Sequence, residues 1–150
     1  MISSYIEKNI NGYSPYSFFE DNSMVKLKAC VEASGTMVYT TLVDADTEVA
    51  YQVPSGKKLV LSRVITISAN CNNNLQVKNG DNNVGLNSTT APTNLTDSGI
   101  PCTLGSTTTD LNVIATIIGI FNSLKYISVN LVTPTSGHKV YMMFFGRLIW

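Results

Sequence analysis

Residues 51–70 read Tyr51-Gln-Val-Pro-Ser-Gly-Lys-Lys-Leu-Val-Leu-Ser-Arg-Val-Ile-Thr-Ile-Ser-Ala-Asn70, and this stretch decides the fold class. It predicts a strand, a tight turn and a long strand. Pro54 suits the second position of a type I turn, because its ring presets φ, and Gly56 suits the fourth. Beyond the turn, Leu59, Leu61, Ile65, Ile67 and Ala69 share one face, with Arg63 the exception. Val60, Ser62, Val64, Thr66 and Ser68 share the other. That alternation is the pattern of a half-buried strand.

The same theme continues on both sides. Val25, Leu27, Ala29 and Val31 alternate with Lys26, Lys28 and Cys30, and residues 36–43 are rich in β-branched and aromatic side chains. Val49, Tyr51 and Val53 alternate before the Pro54 turn. Residues 75–78 followed by Asn79-Gly80 predict a hairpin with a type I′ turn, returning through 83–86. Residues 111–121, nearly continuous in Ile and Val, predict a strand buried on both faces. Ile127, Val129 and Leu131 alternate in the next strand. The last segment sets Val140, Met142 and Phe144 against Tyr141, Met143 and Phe145. Large groups on both faces predict a central strand or a subunit interface. Eight or so short strands with turn signals, and no convincing helix, predict an all-β fold. Its expected form is an antiparallel β-sandwich of jelly-roll type. Residues 24–150 form one expected domain, preceded by an irregular arm over residues 1–23.

Composition narrows the function classes. Charged residues make up only 13% of the 150, and ten Lys and Arg balance ten Asp and Glu. A nucleic-acid partner, which calls for a basic surface, is therefore not expected. No apolar run approaches the ~20 residues that cross a bilayer, so no membrane span is expected. Asn, Ser and Thr supply a neutral surface rich in hydrogen-bonding groups. Without the help of a large net charge to solubility, life inside an assembly is the natural expectation. Cys30, Cys71 and Cys102 are far apart with no CxxC pair. They predict free thiols, cytosolic synthesis and no structural zinc. The first ten residues predict no secretory leader.

Reactive constellations are few. His138, the single histidine, lies in a Ser-Gly-His-Lys turn with no nucleophile beside it in the sequence. Asp44, Asp46 and Glu48 alternate on an extended segment, as calcium ligands do, but the loop glycine and further ligands are missing. They read as a solvated acidic turn. Gly80, Gly85 and Gly99 have no helix behind them to cradle a phosphate. Asn87-Ser-Thr and Asn94-Leu-Thr match the glycosylation sequon by chance in an Asn- and Thr-rich loop. The expectation is no enzyme, no catalytic residue, no cofactor and no metal.

Binding surfaces are the alternative. Tyr5, Tyr13, Tyr16, Phe18 and Phe19 make the arm aromatic without a strand period, as an assembly arm would be. Tyr141, Met143, Phe145 and Trp150 are the expected oligomer interface, because one small sandwich can hardly cover both faces of such a strand. Residues 87–110 form a long polar loop, with Asn87, Thr89, Thr93, Asn94 and Thr96 as candidate recognition groups. Tyr39, Tyr51, Tyr126 and Tyr141 offer aromatic surface for sugar stacking. A carbohydrate- or receptor-binding module is therefore the rival reading.

The run Tyr51-Gln-Val-Pro-Ser-Gly-Lys, leading into a hydrophobic strand that ends at Asn70, resembles a recurring piece of small β-sandwich virion proteins of tailed bacteriophages. The closing strand with Gly146-Arg147 looks like the last strand of those domains. The firm resemblance covers about 20 residues. It implies a capsid-decoration, head-fibre or tail-associated subunit, usually a homotrimer, made in the host cytoplasm and carried in the virion. Its implied partners are further copies of the chain and other virion proteins, whereas a host glycan or receptor is the partner expected under the rival reading of the 87–110 loop. It supplies no catalytic residue.

Overall fold

The computed structural model describes residues 24–32, 35–69, 74–97, 103–105, 111–114, 118–132 and 139–150. They contain eleven strands: β1 (Met24–Glu32), β2 (Tyr39–Thr41), β3 (Val43–Asp44), β4 (Lys58–Ala69), β5 (Asn74–Gly80), β6 (Thr96–Asp97), β7 (Thr103–Gly105), β8 (Leu111–Ile114), β9 (Gly119–Phe121), β10 (Tyr126–Val132) and β11 (Lys139–Ile149). No helix occurs among the described residues.

The strands form two antiparallel sheets. The six-stranded sheet runs β3-β1-β11-β4, with β8 and β9 end to end along the far side of β4. The five-stranded sheet runs β2-β10-β5, with β6 and β7 end to end along the far side of β5. With each end-to-end pair taken as one strand and the two-residue β3 set aside, the order becomes that of a jelly roll. The first strand pairs the last, the second the second-last, and so on inward, as in a long hairpin rolled over on itself. The all-β, two-sheet expectation holds.

One hydrophobic cluster joins the sheets. Leu27, Leu59, Leu61, Val64, Phe121 and Phe144 enter it from the six-stranded sheet, and Leu75, Val77, Ile127 and Val129 from the other. All ten are at most 3% exposed. Burying a Phe or Leu this fully stabilises the fold by ~1.5–3 kcal/mol each.

Several local expectations are corrected. The Pro54 turn is shifted by one residue: the Lys57 N–H donates to the Pro54 carbonyl at 3.2 Å, and Gly56 has φ of 78°. Positive φ at the third position makes this a type II turn, which explains the glycine. It closes no hairpin. Residues 49–53 instead cross between the sheets, bridging Val43 to Ala50 and Gln52 to Tyr126. Asn79-Gly80 is not a turn either, because both residues pair within β5, opposite Ile127 and Tyr126. Gly80 is needed for space: a Cβ there would lie 2.6 Å from the Pro92 Cβ. The expected strand over 111–121 is divided into β8 and β9.

The most consequential correction is in β4. Leu59, Leu61, Val64 and Thr66 face the core, while Arg63 and Ile65 face out. The register with β11 slips between Phe145 and Gly146, leaving Ser62 as an extra residue. This β-bulge flips the side-chain phase. Arg63 breaks the predicted alternation because the alternation itself changes there. Gly146 accommodates the bulge, since a Cβ on it would sit 2.4 Å from the Val60 carbonyl oxygen.

Candidate functional site

β11 is central, as expected, and its two faces differ. Val140, Met142 and Phe144 are buried in the core, whereas Tyr141 is 49% exposed and Met143 and Phe145 are half-buried on the outer surface. Register places Cys30 beside Tyr141 and Lys28 beside Met143 on one side. Ile65 lies beside Met143 on the other, and Arg63 beside Phe145. The outer face of the six-stranded sheet therefore presents a strip of apolar side chains across three adjacent strands.

An open groove of 660 Å³ runs over this strip. Cys30, Ile65, Tyr141 and Met143 line it along the sheet, with Val43 of β3 and Leu86 of a neighbouring loop at its side. The wall is fixed by local chemistry. The Asp44 carboxylate accepts hydrogen bonds from the Asp46 and Thr47 N–H groups at 2.9 Å, forming an Asx turn. Donation from the Thr47 N–H is the main reason its carboxyl is held below the usual range. Glu48, with φ of 63°, then reaches Lys28 at 2.9 Å, and Asp46 lies 3.8 Å from Lys26. The acidic trio is thus a turn tied to the edge of β1. Among the described residues, no group of three or more His, Cys, Asp or Glu side chains could hold a metal ion.

Cys30 is the thiol among the described residues that line the groove. Burial pushes its thiol pKa up, against the opposing pull of Lys139. It is held as the neutral thiol rather than activated.

The four expected interface residues do not form one patch. Tyr141 and Met143 share the groove, and Phe145 continues their row under the Arg63 guanidinium, 4.5 Å from the ring centre. Trp150 lies beyond the far end of β11, 87% exposed, with the Lys57 ammonium 4.2 Å from its ring. Cys30, Ile65, Val43 and Leu86 were not singled out from the sequence. Only the Arg63 irregularity hinted that Ile65 faces outward.

The expected polar loop over 87–110 is described at 87–97 and 103–105, and part of it is strand, since β6 and β7 lie within it. Residues 81–95, just before β6, are stitched to the five-stranded sheet. Tyr39 and Ser88 exchange backbone hydrogen bonds at 2.8 Å, which seals the free edge of β2. The Asn87 side-chain oxygen accepts from the Glu32 N–H at 2.9 Å, and the Asn87 N–H donates to Thr40 Oγ1 at 3.0 Å. The Val84 N–H donates to Thr41 Oγ1, also at 3.0 Å. The Thr93 N–H donates to the Asn82 side chain at 2.7 Å. Asp81 holds Lys125 and Asn94, and the Lys125 contact is the first cause of its lowered carboxyl pKa. Pro92 is buried on Gly80. Among the candidate recognition groups, Thr89, Thr93, Asn94 and Thr96 are exposed, and Asn87 is committed to the scaffold. Tyr39, Tyr51 and Tyr126 are half-buried away from the groove, so the four tyrosines do not make a common sugar platform.

The arm residues Tyr5, Tyr13, Tyr16, Phe18 and Phe19 lie outside the described residues, as do Cys71, Cys102 and His138. Compared with known proteins, the chain matches no family model, no curated protein and no solved structure.

Proposed function

We propose that this chain is a structural subunit of a virus particle, of capsid-decoration or fibre type, which assembles as an oligomer through the outer face of its six-stranded sheet. The observation that carries the reading is the apolar groove around Tyr141 and Met143 on the outer face of that sheet, where Tyr141 is 49% exposed. Contiguous exposed apolar surface of this kind marks an interaction site. The low charge fits a subunit kept soluble by incorporation, and the phage-like turn and strand over residues 51–70 supply the virion context. Homotrimer is the expected state.

The test is the mass of the purified full chain by light scattering, alone and as Met143→Glu. A stable oligomer that dissociates in the variant supports the proposal. A monodisperse monomer at micromolar concentration refutes it. Imaging particles that contain the chain then locates it.

A glycan- or receptor-binding role is favoured by one separate observation. Thr89, Thr93 and Asn94 are exposed on a loop already fixed by hydrogen bonds, so binding there costs little ordering entropy. Loss of host adsorption in a Thr89→Ala/Thr93→Ala variant that still assembles is the result that supports it.

A further inference from the structure

We propose that the occupant of the groove on the six-stranded sheet is the aromatic segment 1–23 of the same kind of chain. This deepens the assembly reading by naming what meets that face, and it relies on that reading only for the choice of face.

Three observations point to this segment. The first is chemistry. The groove offers Tyr141, Met143, Ile65 and Val43 to an apolar occupant. Residues 1–23 carry Ile2, Tyr5, Ile6, Tyr13, Phe18 and Phe19 within a short span. Aromatic and thioether surfaces pack well against one another.

The second is charge. The outward rows of β1, β4 and β11 carry Lys26, Lys28, Lys58, Arg63 and Lys139, against Glu32. Asp46 and Glu48 of the adjoining turn offset two of these cations. In segment 1–23, Glu7, Glu20 and Asp21 outnumber Lys8. The surplus on the sheet is positive and that on the segment is negative.

The third is reach. The segment joins the sheet at Met24, which is itself on the outward row and 50% exposed. Cys30, in the groove, is six residues along the same strand, ~20 Å away at ~3.3 Å per residue. Twenty-three residues can extend to ~75 Å. The segment is long enough to turn back over its own sheet or to cross to a neighbour's.

The test is photo-crosslinking in the full chain. Benzoylphenylalanine replaces Tyr141 on the groove floor, Leu86 on its wall, or Thr89 as an exposed control on the polar loop. Equal amounts of light and isotope-labelled chain are mixed before irradiation, and the crosslinked peptides are identified by mass. The expected result is crosslinks from 141 and 86 into residues 1–23 but not from 89. Adding Met143→Glu should lower their yield about tenfold, the factor that ~1.4 kcal/mol of lost contact gives. Residue 143 is on the outer surface, and a cooperative thermal transition confirms that the variant is folded.

Crosslinks joining strands of two copies, with none to residues 1–23, overturn the inference and leave the assembly reading standing. Crosslinks to residues 1–23 of the same copy in a monomeric protein uphold the inference and overturn assembly through this face. No crosslink, or equal crosslinking from 89, overturns the inference.

Discussion

The outer faces of the two sheets have opposite chemistry and opposite surroundings. On the five-stranded sheet the outward groups are polar, among them Thr41, Ser128 and Asn130, yet these three are at most 2% exposed. Residues 81–95 pack against that sheet, with Pro92 set on Gly80 and main-chain groups bonded to threonine hydroxyls. On the six-stranded sheet the outward groups include Tyr141, Met143, Phe145 and Ile65, and Tyr141 is half exposed. Among the described residues, the domain's own loop packs on the polar face, while the apolar face keeps Tyr141 half exposed. A loop rich in Ser, Thr and Asn satisfies its backbone against polar neighbours but gains little from apolar ones. The open face suits an occupant that brings apolar side chains of its own.

The sharpest way to break this contrast lies within β11. Phe144 points into the core and Phe145 away from it. Phe144→Ala should destabilise the protein by ~3–5 kcal/mol, the usual cost of emptying a core aromatic site. Phe145→Ala should cost less than ~1 kcal/mol, the worth of an exposed cation–π contact. Urea denaturation measures both, and equal losses would refute the assigned strand phase.

Next comes Gly80, on which the covering loop rests. Gly80→Val places a side chain where Pro92 now packs, and should cost ~1–3 kcal/mol through overpacking. Hydrogen exchange should rise in residues 81–95 while β11 stays protected. Uniform loss of protection would mean that the loop is not a separate cover.

Ser128 tests how complete that cover is. Its hydroxyl is buried with no hydrogen-bond partner. Ser128→Ala should therefore leave stability unchanged or raise it by up to ~1 kcal/mol, because an unmet polar group is removed. A loss above ~1 kcal/mol in thermal unfolding would contradict that account.

The gentlest probe is Cys30 on the open face. Its raised thiol pKa lowers the thiolate fraction at neutral pH, and thiolate is the species that is alkylated. Iodoacetamide should modify Cys30 more slowly than an ordinary peptide thiol at pH 8, with the rate still climbing above the usual thiol range. Modification at the peptide rate would show that the thiol is not desolvated.

The alternation of Val25 to Val31 and of Val140 to Phe145 was legible from the sequence because side-chain direction in a strand follows a fixed period of two. The reading failed where an event between strands intervened. Ser62 looks like any polar residue of an alternating strand, yet pairing with β11 expels it as a bulge and turns Ile65 outward. Asn79-Gly80 carries a strong local turn signal, but β10 and β6 hold Asn79 in a ladder, and Pro92 requires a glycine beside it. Interface candidates Tyr141 and Met143 could be named from one strand. Cys30, Ile65, Val43 and Leu86 join them only after four other segments are assembled.

The sequence by itself determined that this protein is β-structured, neutral and poor in reactive groups, because composition and short-range periodicity are properties of the chain. Which sheet face is covered, where the strand phase flips and which residues meet in the groove were decided by the tertiary structure. Those outcomes depend on long-range pairing, and residues that meet in this jelly roll lie more than a hundred positions apart, as Cys30 and Tyr141 do.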